Sequence, residues 1–200
     1  MKAPQAHLVD DDEAIRDALA WLLKSRGIPC TTYDCAETFL AEWTPKLAGC
    51  AILDMRMSGM SGLDCFDQLR ERGSTLPVIF LTGHGDVPMA VGALKKGAFD
   101  FLEKPVDDNA LVDGVIRALE ADARRQAAQE TQATVAIRLA QLTPRELEVM
   151  QLVLAGKFNK VIADELNISM RTVEVHRSRV FEKMGVRSAV ELAQLLAPRD

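Results

Sequence analysis

The sequence predicts two domains, an α/β domain with a doubly wound parallel sheet and then an all-helical domain. In residues 1–120, short apolar runs alternate with segments whose apolar residues recur at helical spacing. Residues 121–138 are rich in Ala and Gln and contain neither Gly nor Pro, which favours helix but cannot build a core. Residues 139–200 carry only helical patterns. We therefore expect an α/β domain, a partly helical linker and a helical domain over these three ranges.

The strands of the first domain are predicted where apolar runs are bounded by turn residues. These runs are His7–Val9, Ile28–Tyr33, Cys50–Asp54, Pro77–Leu81 and Phe99–Glu103. Between and after them, helical patterns cover residues 12–26, 36–43, 62–72, 87–96 and 107–119, and Gly27, Gly73 and Gly97 follow three of these. Strict alternation of strand and helix predicts a parallel sheet covered by helices on both faces.

The helical domain begins with Thr143-Pro144-Arg145-Glu146, in which Thr caps, Pro takes the first helical position and Glu146 completes a capping box. That helix is predicted to run to Gly156, and a short helix covers Asn159–Leu166. Asn167-Ile168-Ser169 predicts a tight turn with Ser169 as the next N-cap. The last two helices are predicted over residues 170–184 and 188–196, so four helices follow the linker.

Composition excludes several classes of protein. The chain has 200 residues, of which 48% are hydrophobic and 26% charged, as in ordinary globular proteins. No apolar run approaches membrane-spanning length and no signal-peptide pattern is present, so we expect a cytoplasmic protein without membrane contact. The four cysteines form no C-x-x-C pair, which is typical of reduced thiols without a redox motif.

Charge is divided unevenly along the chain. Residues 1–119 hold 12 Lys+Arg and 18 Asp+Glu, a net of −6, whereas residues 120–200 hold 12 and 11, a net of +1. Within the second part, residues 169–187 form a basic stripe with a net of +3, five Lys+Arg against two Glu. A local basic stripe in an acidic chain indicates a confined anionic partner.

Acidic residues stand at the ends of two predicted strands. Asp54 ends the run that begins at Cys50, and Asp10-Asp11-Asp12 follows His7–Val9. In an open parallel sheet both strand ends lie at the same edge, where such folds bind ligands. Converging carboxylates repel one another and need a cation, so the sequence predicts an oxygen-lined divalent-metal pocket with one Asp placed as a nucleophile. Asp12 more simply favours the following helix through its dipole.

A hydroxyl and an ammonium follow at the same edge. Thr82 follows the run Pro77–Leu81, and Lys104-Pro105 follows the run Phe99–Glu103. Both side chains can contact a phosphate oxygen. Each residue alone is a weak signal, but the ordered set of acid pair, Asp, Thr and Lys-Pro is specific in combination.

On these residues, the first 120 positions resemble the receiver domain of two-component response regulators, a flavodoxin-like fold. The resemblance implies that Asp54 accepts a phosphoryl group from a sensor histidine kinase. It implies a Mg²⁺ site on the acidic pair Asp10 and Asp11, with Asp54 and the carbonyl of Arg56. It also implies that Thr82, Lys104 and Pro105 contact or flank the phosphate and that Phe101 is the aromatic switch. One departure is Ser58, where such loops usually carry Pro.

A helix-turn-helix is predicted over residues 159–184. On a helical wheel, Val173, Val180 and Met184 point into a core. The opposite face mixes Arg, Glu, Ser and a small apolar residue, which can bond base edges and touch thymine methyls. The candidate base-facing residues and their flanks are Arg171, Thr172, Glu174, Val175, Ser178 and Arg179, and the candidate phosphate contacts are Lys157, Lys160 and Lys183. Arg177 lies near the apolar stripe. It could bind either a DNA phosphate or an internal carboxylate, and the sequence leaves both alternatives open.

The spacing in this region resembles the LuxR-type DNA-binding domain. The matching segments are Leu142-Thr143-Pro144-Arg145-Glu146, Gly156-Lys157-x-Asn159-Lys160-x-Ile162-Ala163 and Ile168-Ser169-x-x-Thr172-Val173-x-x-His176. A receiver followed by this module is the architecture of the NarL/FixJ class, and Arg171 to Arg177 is most similar to FixJ-like members. This chain has Met170 at a position where FixJ-like members often carry Pro.

Other functions fit less well. Aspartate-nucleophile phosphatases place a second Asp two residues after the first as general acid, and this chain has Arg56 there. Gly83-His84-Gly85 begins a dinucleotide fingerprint, but Pro88 holds its third glycine position. A non-transcriptional interaction protein stays open as the other alternative, which DNA retention at moderate salt would separate. The receiver would catalyse only its own phosphoryl transfer and dephosphorylation, so we expect no enzyme that turns over a metabolite.

The resemblance therefore implies a phosphorylation-dependent transcription regulator. Its expected partners are a sensor histidine kinase, double-stranded promoter DNA, a second copy of the chain after phosphorylation, and RNA polymerase. Phosphorylation is expected to repack the face made by the fourth helix, fifth strand and fifth helix into a dimer surface.

Overall fold

The computed structural model describes residues 4–83 and 87–197, and the chain divides into two compact units, Met1–Gln126 and Ala127–Asp200. Each unit is described by itself. The division falls inside the segment predicted as a linker. His84 and Gly85 of the incomplete dinucleotide fingerprint lie outside the described residues.

A parallel five-stranded sheet forms the centre of the described part of the first unit. Its strand order is β2-β1-β3-β4-β5, so the chain winds outward in both directions from β1 and β3. The strands are β1 (Gln5–Val9), β2 (Cys30–Tyr33), β3 (Gly49–Asp54), β4 (Val78–Thr82) and β5 (Asp100–Glu103). The doubly wound α/β fold predicted from the alternation of strands and helices is confirmed.

Helices cover both faces of this sheet. They are α1 (Glu13–Ser25), α2 (Ala36–Glu42), α3 (Gly62–Glu71), α4 (Val87–Lys95) and α5 (Asp108–Ala140). Asp12 caps α1 by accepting hydrogen bonds from Ala14 N at 2.9 Å and Ile15 N at 3.2 Å. This is the helix-terminal role that the sequence predicted for Asp12.

The core of the first unit lies on the two faces of the sheet. Successive side chains of a strand point to opposite faces, so Ile52 belongs to one buried cluster and Leu53 to the other. The cluster with Ile52 also contains Leu23 of α1 and Leu111 of α5. The other includes an edge-to-face pair of Phe66 and Phe80 with ring centroids 5.5 Å apart. Strands β3 and β4 are buried along their whole length, and their last residues are the polar Asp54 and Thr82.

Helix α5 is longer than the pattern of residues 107–119 predicted. It runs without interruption through the Ala- and Gln-rich segment to Ala140, which high helix propensity and the absence of Gly and Pro explain. Asp122, placed by the sequence analysis in the linker, is fully buried in the first unit. Val135 and Leu139 instead pack against the core of the second unit.

The second unit continues with α6 (Pro144–Leu154), α7 (Asn159–Leu166), α8 (Met170–Met184) and α9 (Ala189–Leu196). The capping box of Thr143 and Glu146 is present at the start of α6. Helix α7 ends at Leu166, and Asn167 is its C-cap. Asn167 has a φ of 52°, in the left-handed region that Asn tolerates better than most residues. Ser169 then caps α8 by accepting from Thr172 N at 3.1 Å. The tight turn and both helix boundaries are as predicted.

Among the residues that the structure describes, no helix is both long enough and apolar enough to cross a bilayer.

Candidate functional sites

Four predicted site residues meet at the carboxyl edge of the sheet because their strands are neighbours. Asp54 and Thr82 are the last residues of β3 and β4. Asp10 follows β1 and Lys104 follows β5. With β1, β3, β4 and β5 adjacent in that order, the four strand ends form one row. This is the ligand-binding edge of doubly wound sheets.

Three carboxylates converge in this pocket. Asp10, Asp11 and Asp54 each present an oxygen, and these oxygens lie within 4.8 Å of one another. Asp10 is fully buried and Asp54 is nearly so, whereas Asp11 is exposed. A set of hard oxygen donors on a water-accessible edge suits Mg²⁺, which keeps several waters and uses few carboxylates. The residues present therefore fit a magnesium ion, and Arg56, whose carbonyl is the further predicted ligand, lies in the loop after β3.

Lys104 joins two of these carboxylates. Its Nζ donates to Oδ2 of Asp10 at 2.8 Å and lies 3.0 Å from Oδ1 of Asp54. Burial alone would lower the pKa of Lys104, but its hydrogen bonds to Asp10 and Asp54 outweigh burial and raise that pKa. Lys104 therefore stays charged at this edge and offsets part of the repulsion between the acids.

The Asp54 carboxyl is affected mainly by burial. Burial raises its pKa, the hydrogen bond and charge of Lys104 lower it, and the negative charges of Asp10 and Asp11 raise it again. The net shift is upward, so the anion is costlier here than in water. A second cation beside Lys104 would favour the ionised form, and an ionised carboxylate is the nucleophile that phosphoryl transfer needs.

The hydroxyl of Thr82 has no hydrogen-bond partner among the residues that the structure describes. Its oxygen, Oγ1, is buried. An unsatisfied buried hydroxyl costs free energy, so its presence beside Asp54 indicates a site that awaits an acceptor. A phosphoryl oxygen on Asp54 would supply one.

Two residues that the site analysis of the sequence missed shape the pocket. Gly62 opens α3 so close to β3 that an added Cβ would lie 2.2 Å from the carbonyl oxygen of Asp54. Ser58 donates its backbone N–H to Oδ2 of Asp11 at 2.7 Å. Hydrogen bonds from the backbone and then the hydroxyl of Ser58 lower the pKa of Asp11. Ser58 was noticeable in the sequence because it replaces the usual Pro, but no neighbouring residue indicated Asp11 as its partner.

Phe101 and Pro105 lie beside the pocket rather than in it. Phe101 is half-buried on β5 and packs against the cluster that contains Phe66 and Phe80. Pro105 follows Lys104 across a cis peptide bond and is exposed.

The exposed face of α8 has the composition expected of a base-reading surface. Arg171, Glu174, Val175, Ser178 and Arg179 are exposed. Thr172 is half-buried, and its hydroxyl lies 2.8 Å from that of Ser169. Val173, Val180 and Met184 are buried, as the helical wheel predicted.

The three candidate phosphate-contacting lysines differ in their surroundings. Lys160 is exposed on α7. Lys157 lies 2.6 Å from Oε1 of Glu165 in a partly exposed ion pair. Lys183 donates to the buried carboxylate of Glu146 at 2.6 Å and to the carbonyl of Gln141 at 3.1 Å. The Lys183 side chain is partly exposed, and its pair with Glu146 makes it a weaker candidate for a phosphate contact than Lys160.

Arg177 has a partner that neither open alternative foresaw. Its Nη1 donates to the side-chain oxygen of Asn159 at 2.6 Å, and its guanidinium lies 5.7 Å from the centre of the Phe181 ring. The amide of Asn159 at the start of α7, rather than a carboxylate, therefore joins this helix to α8.

Two family models match this chain, one over each predicted domain. Residues 6–116 match the family described as response regulator receiver domain, and residues 140–196 match the family described as bacterial regulatory proteins, luxR family. The C4-dicarboxylate transport transcriptional regulatory protein DctR of Rhodobacter capsulatus is 52% identical over 191 residues, covering 94% of this chain and 97% of DctR.

Solved structures of similar proteins cover both units. The response regulator StyR is 44% identical with a TM-score of 0.90, over 97% of this chain and 98% of that one. Full-length FixJ from B. japonicum is 40% identical with a TM-score of 0.60, over 98% of this chain and 96% of that one. The resemblance to FixJ-like proteins drawn from the motifs is confirmed.

Proposed function

The chain belongs to the two-component response regulators that join a receiver domain to a LuxR-type DNA-binding domain, and on that premise we propose that phosphorylation of Asp54 controls its binding to promoter DNA. The observation that carries the proposal is the pocket itself. A nearly buried Asp54 pairs with Lys104 at 3.0 Å, and the neighbouring strand β4 ends at Thr82, whose buried hydroxyl has no acceptor among the described residues.

The proposed chemistry is a phosphoryl transfer from a histidine of the partner kinase. A carboxylate oxygen of Asp54 attacks the phosphorus, the P–N bond breaks, and its electron pair leaves with the imidazole nitrogen. Lys104 and Thr82 then donate to the transferred phosphoryl oxygens. When bound, Mg²⁺ would be held by Asp10, Asp11, Asp54 and the carbonyl of Arg56, and it would neutralise the negative charge that develops during the transfer.

Phosphorylation would change what Lys104 and Thr82 contact. Lys104 now bridges Asp10 and Asp54, and a phosphoryl group offers it a stronger acceptor. Thr82 would move toward the phosphoryl oxygen, and Phe101 would turn into the space it leaves. This repacks the surface of α4, β5 and α5, which we propose as the surface of the phosphorylation-dependent homodimer.

Dimerisation would present two copies of α8 to a two-fold related site on double-stranded DNA. The proposed base-facing residues and their flanks are Arg171, Thr172, Glu174, Val175, Ser178 and Arg179, with Lys157 and Lys160 on phosphates. RNA polymerase is the proposed partner at the promoter. The relatives of this chain are transcriptional regulators rather than classical enzymes. We propose that its only reactions are its own phosphoryl transfer and dephosphorylation.

Sedimentation of the full chain tests the proposal directly. Addition of Mg²⁺, beryllium and fluoride, which mimic an aspartyl phosphate, should convert a mainly monomeric protein into a dimer and tighten its binding to promoter DNA. Asp54→Asn should stay monomeric under the same conditions. A tight dimer before treatment, or an equal response of Asp54→Asn, would contradict the proposed switch.

A further inference from the structure

Ser58 makes a contact that proline at this position could not make. The loop after the phosphoacceptor strand of receiver domains usually carries Pro here, as the sequence analysis noted. In this chain the backbone N–H of Ser58 donates to Oδ2 of Asp11 at 2.7 Å. Proline has no N–H, so the hydrogen bond exists only because this chain departs from the usual residue.

The three carboxylates of the pocket differ in what fixes them. Asp10 is buried and accepts from Asp12 N at 2.9 Å and from Lys104 at 2.8 Å. Asp54 is the last residue of a buried strand and also pairs with Lys104. Asp11 is exposed on the loop after β1, and the bond from Ser58, 47 residues later, joins it to the loop after β3. The placement of Asp11 thus depends on a contact between loops.

The bond leaves Asp11 able to act as a ligand. A carboxylate has two oxygens and room for about four hydrogen bonds or ligands. While Oδ2 accepts from Ser58, one oxygen of the carboxylate lies within 4.8 Å of oxygens of Asp10 and Asp54. An exposed Asp without such a contact would sample several rotamers and would have to be ordered when a cation binds.

We propose that Ser58 is a positioning residue that holds Asp11 toward the divalent-cation site and so sets the affinity of the receiver for Mg²⁺. The inference rests on the proposed function, because it assumes that Asp11 contributes to a magnesium site. It adds that the metal affinity of this chain differs from that of a receiver with Pro, through a backbone donor rather than through a change of ligand.

The test is a titration of the full, unphosphorylated chain with MgCl₂, followed by the amide resonances of an isotope-labelled sample. Ser58→Pro removes the N–H, whereas Ser58→Ala keeps it and removes only the hydroxyl. We expect Ser58→Pro to weaken Mg²⁺ binding by about threefold to tenfold, which is the cost of ordering one side chain. Ser58→Ala loses the hydroxyl that also bonds to Asp11 but keeps the backbone N–H, so it should weaken Mg²⁺ binding less than Ser58→Pro does.

A double-mutant cycle separates positioning from a general effect on the loop. In the Asp11→Ala background, Ser58→Pro should have no further effect on Mg²⁺ affinity, because the side chain it acts through is gone. An additive loss there would overturn the inference, as would unchanged or tighter binding by Ser58→Pro alone. If Asp11→Ala itself kept wild-type affinity, the proposed metal site would fail first, so the two failures are distinguishable.

Discussion

Asp122 of helix α5 accepts a hydrogen bond of 2.8 Å from the backbone N of Gly49, the first residue of β3. The carboxylate is fully buried and also accepts from the side chains of Arg125 and Gln126. Gly49 has φ 121°, and an added Cβ would lie 1.9 Å from the carbonyl oxygen of Gln5. A segment beyond the last predicted helix of the receiver is therefore joined to the sheet at the end opposite the Asp54 pocket.

We expect Asp122→Ala to destabilise the first unit by about 1–3 kcal/mol, because it leaves the buried N–H of Gly49 without an acceptor. Hydrogen exchange followed by mass spectrometry should show faster exchange in β3 and in the middle of α5. Glu120→Ala is the matched control, since Glu120 is exposed on the same helix and makes only a loose pair of 3.8 Å with Arg124. Equal protection in the two variants would mean that the bond contributes nothing.

Labelling with acetyl phosphate tests the phosphoacceptor. Wild type should be labelled in the presence of Mg²⁺ and Asp54→Asn should not, because an amide is a poor nucleophile and a weak metal ligand. Asp11→Ala should slow labelling, whereas Asp12→Ala should leave it nearly unchanged and cost about 1 kcal/mol of stability as a lost helix cap. Labelling of Asp54→Asn at another residue would refute the assignment.

The ion pair of Lys183 and Glu146 predicts how the stability of the second unit depends on pH. The hydrogen bond from Lys183, then that from the backbone of Thr143, lowers the pKa of Glu146 from 4.5 to about 2. A lowered pKa contributes stability that is fully present above 4.5 and is lost as the pH falls through about 2. Glu146→Gln should therefore be less stable than wild type at neutral pH, and the difference should narrow as the pH falls below 4.5.

Hydrogen exchange in α6 and α8 of the full chain, corrected for the intrinsic effect of pH, measures this difference. Glu148→Gln is the control on the same helix, because Glu148 pairs with Arg145 at 2.6 Å but is exposed. Its effect should be small at every pH. A Glu146→Gln variant as stable as wild type at neutral pH would show that the Lys183 pair only offsets the cost of burying it.

The fold and the site residues at strand ends could be predicted because their signals are local. Apolar runs, glycines after helices and the caps Thr143 and Ser169 each lie within a few residues of the feature they determine. A parallel sheet then brings Asp54, Thr82 and Lys104 to one edge whatever the loops do.

The contacts that could not be predicted join residues far apart in sequence. Asp122 and Gly49 are separated by 73 positions, and Lys183 and Glu146 by 37. An Asp in an Ala-rich segment and a Lys on a basic helix look like solvated surface residues, since nothing nearby marks their partners. For the same reason, the sequence predicted a phosphate contact for Lys183 but not its ion pair with the buried carboxylate of Glu146.

The surface of α8 gives the most specific prediction about DNA. Val175 and Ser178 are exposed on the face that also carries Arg171, so their substitution should change which bases are preferred. Each good base contact is worth about 1–3 kcal/mol of discrimination. Lys160→Ala should instead weaken binding to all sequences alike and reduce the salt dependence by about one phosphate contact.

Binding titrations of each variant on specific and scrambled duplexes, at several salt concentrations, separate these effects. Lys183→Met is an informative comparison, because Lys183 lies on the same helix with its ammonium on Glu146. Its loss should lower the stability of the second unit while leaving the salt dependence of binding per folded molecule at the wild-type value. A reduced salt dependence would return Lys183 to the phosphate contacts, and unchanged base preference in the Val175 and Ser178 variants would place another face of α8 in the groove.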